Sequence, residues 1–271
     1  KMCGIAGIVD LSENNIDDRT LLLMSEAMIS RGPDSSGYKK FKNATLAHRR
    51  LSVIDLSENA NQPMYDKEND NTIVFNGEIY NHLSVRHDLI KKGYKYSSNS
   101  DTESILFGYN HFGSKITSKI RGMWAFAIWN NTTSTLFLSR DRFGEKPLYY
   151  CLDGRRLAFA SSLSALEPAL YKKDINPNAV FDLLSYEYIP TRHSIYKNVK
   201  KLPAGSNLIF NKNGLLIEEY FNLNYKEKIK VSENDALVEI DRLINQSVEE
   251  QLVADVPIGV FLSGGVDSGL I

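Results

Sequence analysis

Paired runs of β-forming residues, each joined by a short turn signal, constrain the fold of this chain most strongly. The segment MWAFAIWNNTTSTLFLSRD contains two apolar runs separated by Asn-Asn-Thr-Thr. PLYYCLDGRRLAFAS turns at Asp153-Gly154, and LPAGSNLIFNKNGLLIEEYFNL turns at Asn213-Gly214. Asn-Gly and Asp-Gly pairs are favoured in tight hairpin turns. The pattern therefore predicts largely antiparallel sheets.

Helical spacing is mixed with these strand signals. It occurs in DDRTLLLMSEAMISR, HLSVRHDLIKKG and DTESILFGYNHFG, whereas CGIAGIVD, TLAHRRLSVID and TIVFNGEIY are β-rich. Strands and helices do not alternate strictly, so the sequence predicts an α+β fold.

Composition excludes several classes of function. The 271 residues are 42% hydrophobic and 24% charged, as in a globular protein. The formal net charge of -1 gives no electrostatic reason to expect a nucleic acid or an acidic membrane surface as partner. No apolar stretch is long enough to span a bilayer, and the first residues lack the pattern of a signal peptide. We therefore expect neither nucleic acid nor a membrane as partner.

Cysteine and histidine usage predicts a reducing setting and no histidine-ligated metal centre. The two cysteines, Cys3 and Cys151, are far apart in sequence, which predicts no disulfide framework and a reducing, cytoplasmic setting. The five histidines have no metal-ligand spacing, and we interpret them as ordinary surface or half-buried residues.

The character of the chain changes after the last hairpin. NYKEKIKV is polar and unperiodic, which is typical of a linker. SENDALVEIDRLINQSVEEQLVAD predicts an amphipathic helix, with Ser232 and Asp235 resembling a capping box. VPIGVFL predicts a buried parallel strand. We therefore divide the chain into a first domain at 3–215, a linker at 216–231 and the start of an α/β domain at 232–271.

The SGGVDS segment after that strand favours a phosphate-binding loop over a plain strand-to-helix turn. Gly264 and Gly265 let backbone N–H groups approach an anion, and Ser263 and Ser268 add hydroxyl donors. A carboxylate beside phosphate is useful if it binds Mg²⁺ or caps the next helix, and we assign Asp267 one of these roles. The loop lacks a Gly-Lys-Ser/Thr ending and is therefore not a Walker loop. It resembles the pyrophosphate loop of ATP pyrophosphatases.

Cys3 is either a small buried hydrophobe or, at a free N-terminus, a nucleophile. The α-amine of an N-terminal cysteine can act as the base for its own thiol. Met2 followed by the small Cys3 is a substrate for methionine removal. Lys1 cannot belong to a natural start that precedes Met2, so we interpret it as an added residue. With Lys1 and Met2 in place, we expect weak catalysis.

The other parts of such a site can be sought in the sequence. Asn76 and Gly77 offer donors for an oxyanion. Arg50 could bind the carboxylate of a free amino acid in bidentate fashion, and Asp101 could bind its ammonium group. Taken singly, the alternatives remain open: a β-turn at Asn76-Gly77, a surface cation at Arg50 and a helix N-cap at Asp101.

Together these segments resemble a known family. MCGIAGIVD, RGPDSSG, AHRRLSVID, FNGEIYN, SDTESIL, GMWAFAIW and SRDRFGEKPLYY resemble the class II glutamine amidotransferase domain. IPTRHSIYKNVKKLPAGSNLIF and VPIGVFLSGGVDS resemble its continuation in glutamine-dependent asparagine synthetases. The resemblance implies an N-terminal-nucleophile hydrolase fold, two antiparallel sheets between helical layers. It also implies hydrolysis of glutamine to glutamate and ammonia, with ammonia used at a second, ATP-dependent site.

The resemblance assigns roles to residues through the matching motifs. Cys3 is the implied nucleophile, and Asn76 and Gly77 form the implied oxyanion hole. Around bound glutamine, the resemblance places Arg50, Leu51, Val53, Asn76, Gly77, Glu78 and Asp101. Around ATP, it places Leu262, Ser263, Gly264, Gly265, Asp267 and Ser268. Asp267 is the one candidate for Mg²⁺ in this chain, and no other metal ligand is expected.

Two departures and two alternatives accompany the resemblance. Ser162 stands where the family usually has Glu, near the contact between its domains. The chain also ends three residues after the loop, so we expect it not to complete a synthetase reaction. The expected acceptor is aspartate; the alternative is another carboxylate, such as a sugar acid of a surface polysaccharide. A different class of function, a non-catalytic glutamine sensor or scaffold, also stays open, as does a homodimer.

Overall fold

The computed structural model describes residues 2–12, 15–190 and 192–271, and it has an α+β fold. The interpretation of Lys1 lies outside these residues. The strands are β1 Gly4–Asp10, β2 Ser35–Lys40, β3 Ala44–Arg50, β4 Met64–Asp66, β5 Asn71–Ile79, β6 Gly122–Asn130, β7 Thr135–Arg140, β8 Tyr149–Asp153, β9 Arg156–Ala160, β10 Val199–Lys201, β11 Ser206–Asn211 and β12 Gly214–Glu219. They form two six-stranded sheets, ordered β10-β8-β9-β1-β3-β2 and β12-β11-β7-β6-β5-β4.

Seven α-helices are found in the described part of the chain. They are α1 Asp18–Glu26, α2 His82–Ile90, α3 Asp101–Phe112, α4 Leu163–Leu166, α5 Pro177–Tyr186, α6 Glu233–Gln251 and α7 Val266–Leu270. Short 3₁₀ helices occupy Glu58–Ala60, Gly113–Ser118 and Glu167–Ala169. Among the residues described, no helix is long and apolar enough to cross a membrane.

The two sheets pack face to face because their strands alternate apolar side chains. Ile5 and Val9 of β1 belong to the core between the sheets, together with Ala125 and Trp129 of β6. The intervening residues of the same strands face the opposite way, toward helices. These outward residues include Ala6 and Ile8 of β1, and Trp124, Phe126 and Ile128 of β6.

Helices cover both outer faces. Met24 of α1 and Leu166 of α4 pack with Ala6 and Ile8 on the first sheet. Val85 of α2 and Ile105 of α3 pack with β5 and β6 residues on the second sheet. The molecule is therefore a four-layer sandwich of two antiparallel sheets between helical layers, as predicted.

The predicted hairpins are all present. β6 pairs with β7, β8 with β9 and β11 with β12, each in antiparallel register. The three helices predicted in the first half correspond to α1, α2 and α3. The prediction missed α5 and the short or edge strands β2, β4 and β10.

The C-terminal segment confirms one prediction and corrects two. Ser232 is the N-cap of α6, and its hydroxyl accepts a hydrogen bond from the Asp235 N–H. The predicted buried strand at 256–262 is wrong for this chain, because these residues form no strand and have no neighbouring strand to pair with. Asp267 does not cap α7, because the N-cap is Gly265 and Asp267 lies in the first turn.

Two histidines correct the interpretation of this residue type. His48 and His82 are buried, with 1% and 2% of their surfaces exposed. The His48 Nε2 lies 3.0 Å from the carbonyl oxygen of Phe75, and burial lowers the pKa of His48 to about 3. Burial likewise lowers the pKa of His82 to about 4. Both are neutral residues of the interior, because a charged imidazole would lose its hydration there.

Candidate active site

Cys3 lies directly before β1, at the end of the sandwich where β3 finishes. The antiparallel register pairs Gly4 with Arg49, so the residues after β3 come back beside Cys3. The Cys3 thiol is 3.3 Å from the N–H of Leu51 and 3.5 Å from its carbonyl oxygen. Burial raises the pKa of the Cys3 thiol, although the hydrogen bond to Leu51 opposes the rise. The thiol is therefore neutral and needs a base to react.

All the residues predicted to lie around glutamine line a single cavity. Two strands, a loop and a helix start supply them: β3 and the loop after it, β5 of the other sheet, and the first turn of α3. The predicted residues that line the cavity are Cys3, Arg50, Leu51, Val53, Asn76, Gly77, Glu78 and Asp101. Within the described residues, no histidine lines this cavity. The base for Cys3 must therefore come from another group.

Asn76 is the least ordinary residue of the cavity. Its side chain is fully buried, and neither its amide nitrogen nor its amide oxygen has a hydrogen-bond partner. A buried unpaired amide costs free energy, so native proteins rarely contain one. Asn76 pairs with Ala125 within β5–β6, so the reading of Asn76-Gly77 as a simple turn is wrong.

Gly77 follows Asn76 in the same strand and is required by close backbone packing. A Cβ added here would lie 2.0 Å from the carbonyl oxygen of Met123 on β6. No larger residue fits without moving the strand. The backbone at Gly77 therefore borders the cavity without a side chain in the way.

Arg50 is a buried residue at the end of β3, so the surface-cation reading is wrong. Its Nη1 donates to the carbonyl oxygen of Ser57 at 3.0 Å and to Asn61 Oδ1 at 2.9 Å. Its Nη2 donates to the carbonyl oxygens of Ile54, at 3.5 Å, and of Asp55. The loop after β3 thus holds the guanidinium group. A bidentate contact with a carboxylate would require exchange of some of these bonds.

Asp101 is the first residue of α3 and is 5% exposed. Ser100, not Asp101, is the N-cap, so the capping alternative for Asp101 is wrong. The Asp101 carboxylate accepts a hydrogen bond from the Ile79 N–H at 3.0 Å. Burial raises the pKa of Asp101 to about 7, and the charge of Glu78 adds to the rise. A ligand cation would be needed to keep this carboxylate fully ionised at neutral pH.

Sequence reasoning missed several lining residues, of which Lys146 matters most. Lys146 is buried, its Nζ lies 2.7 Å from the Met2 sulfur, and both residues line the cavity. Its charge opposes the burial that raises the pKa of Glu78. The GEKPLYY motif, used only for the family resemblance, was the available signal. The other missed lining residues are Met2, Ile54, Ala60, Gln62, Phe75, Ser100, Thr102 and Met123.

The predicted ATP-binding residues are not among those that line this cavity; Leu262 to Gly265 precede α7, and Asp267 and Ser268 lie in it. The hydroxyl oxygens of Ser263 and Ser268 are 2.9 Å apart, and Ser263 Oγ also accepts from the Gly265 N–H at 3.4 Å. Gly264 has φ +76° and no atom near the position of an added Cβ. Residues 262–267 are exposed, and Ser268 is half-buried. The glycine and hydroxyl groups therefore form a turn whose polar groups bond to one another.

Ser162, the departure from the family pattern, has a local structural role. It is the N-cap of α4, and its hydroxyl accepts a hydrogen bond from the Ala165 N–H at 3.3 Å. Glu lacks the short side chain that caps a helix in this way, so the Ser at 162 provides a cap that the usual Glu would not.

A model of the glutamine amidotransferase domain matches residues 2–221. The chain belongs to this family. A second model, asparagine synthase, matches residues 239–271. Asparagine synthetase [glutamine-hydrolyzing] 1 of Bacillus subtilis is 36% identical over 274 residues, which cover all of this chain and 43% of that protein. Asparagine synthetase B [glutamine-hydrolyzing] of Escherichia coli is 33% identical and is covered to 44%. The chain thus spans less than half the length of these two relatives, and the resemblance stated from its motifs is confirmed.

Solved structures confirm the fold of the amidotransferase chain. The glutamine phosphoribosylpyrophosphate amidotransferase of B. subtilis, complexed with ADP and GMP, superposes with a TM-score of 0.61. The match covers 82% of this chain and 50% of that one at 18% identity. A second structure, described as the allosteric regulatory enzyme of purine biosynthesis, gives a TM-score of 0.60. The N-terminal-nucleophile hydrolase fold is therefore confirmed.

Proposed function

We propose that this chain hydrolyses glutamine to glutamate and ammonia at the Cys3 cavity. The observation that carries the proposal is the Asn76 amide, which is fully buried, unpaired and part of the cavity wall. A preorganised donor of this kind stabilises the negative charge that develops on a carbonyl oxygen under attack. Family membership supports the same reaction.

The two charged ends of the cavity fit a free amino acid. Arg50 supplies a fixed positive charge for the α-carboxylate, and Asp101, with Glu78 beside it, supplies negative charge for the α-ammonium group. Leu51 and Val53 would line the space between these ends. Glutamine held at both ends would present its side-chain amide to the thiol, which is the advantage of proximity.

The chemical step uses the donors already described. Cys3 Sγ attacks the amide carbon while its proton goes to a base, and the oxyanion is stabilised by the Asn76 amide and the Gly77 N–H. Collapse expels ammonia, which takes the proton from the base, and leaves a glutamyl thioester on Cys3. Water then hydrolyses the thioester, releasing glutamate and returning the thiol.

The α-amine of Cys3 is the base that this proposal needs. In the 271-residue sequence, the Cys3 nitrogen is joined to Met2 by a peptide bond. Removal of the residues before Cys3 would create an amine whose ordinary pKa is about 8, well placed to accept the thiol proton. The same removal would take the Met2 side chain out of the lining of the cavity. We therefore propose that the active form begins with Cys3.

We also propose that the whole protein uses the ammonia to amidate aspartate with ATP. The names of the relatives and the asparagine synthase match support this step. Gly264 and Gly265 leave room for an anion, and the hydroxyls of Ser263 and Ser268 could turn from each other to phosphate. Asp267 could hold Mg²⁺, and Leu262 would precede the loop. ATP would activate the acceptor carboxylate by adenylation.

We also propose a domain division for the chain, which the pairing of its last strand supports. We place the glutaminase domain from Cys3 past 215 to the end of β12 at Glu219, since this strand pairs with β11. A linker would run to 231, and the synthetase segment would occupy 232–271. The two free cysteines support a reducing, cytoplasmic setting.

Glutamate release tests the proposed function directly. The chain should be prepared with Cys3 as its first residue and incubated with glutamine while glutamate and ammonia are measured separately. We expect both to appear in a one-to-one ratio. Cys151 is the other free thiol and packs on the helical side of the first sheet, so Cys151→Ala is the matched control and should remain active. Glutamine binding without any glutamate release would instead support the sensor or scaffold alternative.

A further inference from the structure

Asp255 of the synthetase segment is hydrogen-bonded to one wall of the glutamine cavity. The Asp255 N–H donates to the carbonyl oxygen of Val53 at 3.0 Å. The Asp255 carboxylate in turn accepts a hydrogen bond from the Asp55 N–H at 2.7 Å. Asp255 thus donates one hydrogen bond to the 53–55 backbone and accepts another from it. Two bonds at different points fix the orientation of that loop as well as its distance from Asp255.

The loop that Asp255 binds shapes the cavity in two ways. Val53 and Ile54 line the cavity directly. The carbonyl groups of Ile54 and Asp55 accept hydrogen bonds from the Arg50 guanidinium group. Any displacement of 53–55 would therefore move both a wall of the cavity and the cation proposed to bind the glutamine carboxylate.

Among the residues that the structure describes, the Asp55 N–H has no hydrogen-bond partner other than Asp255. The Asp55 carboxylate is used inside that domain, because it accepts bonds from the Ser57 N–H at 3.0 Å and the Asn99 N–H at 2.6 Å. Asp55 is 8% exposed and has φ +54°, a conformation that is uncommon for residues other than glycine. A buried N–H and an uncommon backbone conformation persist only when their surroundings hold them in place. Asp255 contributes to this by accepting the hydrogen bond from the Asp55 N–H.

We propose that Asp255 is a positioning residue of the glutamine site, supplied by the synthetase segment. Through 53–55 and the Arg50 guanidinium, it sets the affinity of the cavity for the carboxylate end of glutamine. The inference rests on the proposed glutaminase activity. It links the synthetase segment to the glutamine site. Asp255 is followed directly by the residues that lead to Ser263–Ser268, so the proposed ATP-binding residues and the residue that positions the glutamine site belong to one continuous segment.

Three variants separate positioning from a general structural role. Asp255→Ala removes the acceptor, whereas Asp255→Asn keeps an oxygen that can accept from the Asp55 N–H. Glu250→Ala is the matched control, because Glu250 forms the ion pair with Arg121 that also joins the segment to the glutaminase domain, away from the cavity. Each variant should be made in the protein that begins with Cys3 and retains the synthetase segment to at least Ile271.

The kinetic experiment compares KM and kcat for glutamine. We expect Asp255→Ala to raise KM by about tenfold with kcat changed less than about threefold, since it loses a hydrogen bond to a charged group. Asp255→Asn should recover most of the affinity, and Glu250→Ala should match the unaltered protein. An unchanged KM in Asp255→Ala, or an equal rise in Glu250→Ala, would overturn the proposal.

Amide hydrogen exchange tests the same contact without relying on activity. Exchange in peptides covering 51–57 should be about tenfold faster in Asp255→Ala than in the unaltered protein or in Glu250→Ala. Equal exchange in all three would overturn the proposal even if glutamine is hydrolysed. If no glutamate is released by the unaltered protein, the proposed function fails, and the exchange result still decides whether Asp255 positions the loop.

Discussion

The two regions proposed to carry chemistry, the Cys3 cavity and the 263–268 segment, differ in the surroundings of their polar groups. Around Cys3, the Asn76 amide is fully buried and unpaired, and its backbone is held in β5 by pairing with β6. In the 263–268 segment, the Ser263 and Ser268 hydroxyls bond to each other, and Ser263 is exposed. A donor remains free for a ligand only where the surrounding structure keeps other partners away. In this chain, the cavity has such surroundings and the 263–268 segment does not.

Packing explains the difference. The strands that contribute to the cavity have both faces covered, one by the other sheet and one by helices. By contrast, α6 buries no residue, and the apolar side chains of Phe261 and Leu262 are 99% and 73% exposed. The proposed glutamine site is therefore enclosed by the described residues of this chain, whereas the proposed nucleotide loop has no such surroundings among them.

The largest expected effect removes the nucleophile. Cys3→Ala should reduce glutamine hydrolysis by about 10⁴-fold or more, because no other group of the cavity can form the acyl intermediate. Glutamine binding should stay within about tenfold, because Arg50 and Asp101 contact the other end of the molecule. Calorimetry measures the binding, and Cys151→Ala is the control for loss of a thiol. A Cys3→Ala protein with no glutamine binding would refute this division of roles.

Asn76→Ala tests the buried donor that distinguishes the cavity from the exposed loop. We expect kcat to fall by about 10²–10³-fold with little change in KM, since the donor acts on charge that develops during the reaction. Because the Asn76 amide has no partner in the resting structure, the variant breaks no hydrogen bond within the protein. Steady-state kinetics and a thermal unfolding curve should be measured together. A rise in KM at unchanged kcat would assign Asn76 to substrate binding instead.

Asp101 gives the cavity a predicted pH dependence. Its pKa of about 7 means that the carboxylate gains a proton as pH falls below 7, and a protonated group attracts the glutamine ammonium poorly. In the inactive Cys3→Ala protein, the dissociation constant for glutamine should therefore rise by about tenfold per pH unit below 7 and level off above it. Calorimetry between pH 5 and 9 measures this. Asp101→Asn should bind weakly at every pH because the ammonium loses its counter-charge. A flat profile in the Asp101 protein would contradict the assignment.

The smallest effect concerns the exposed segment. Limited proteolysis of the 271-residue chain should first cut in 222–231 or 252–262, where the backbone has no regular structure, and leave the sandwich intact. ATP should bind weakly or not at all to the same chain. Micromolar ATP affinity, or first cuts within β1–β12, would break the contrast between the two regions.

The sequence predicted the parts of the molecule that depend on local patterns. The hairpins at Asp153-Gly154 and Asn213-Gly214 follow from turn chemistry, and the α6 N-cap follows from the position of Ser232. β2 was missed because its SSGYKK sequence is polar and it lies at the edge of a sheet, where half of its residues stay exposed. Short strands such as β4 and β10 carry too few residues to show alternation.

The site was predicted as a set of residues but not as an arrangement. Motifs identified Cys3, Arg50, Asn76 and Asp101, yet local reasoning could equally place Arg50 on the surface. Its burial depends on carbonyl groups of 54, 55 and 57 that fold back over it. The contacts of Lys146 and Asp255 join segments more than 100 residues apart, and no local pattern reports such a pairing.

A trapped intermediate tests the central claim most directly. The chain beginning with Cys3 should be mixed with glutamine, quenched in acid during turnover and digested, and the peptides should be examined by mass spectrometry. A glutamyl thioester should be found on Cys3, absent from the Cys151 peptide and much less abundant when Met2 is retained, since the proposed base, the free α-amine, is then missing. Glutamate release without an adduct on Cys3, or full activity with Met2 in place, would contradict the account.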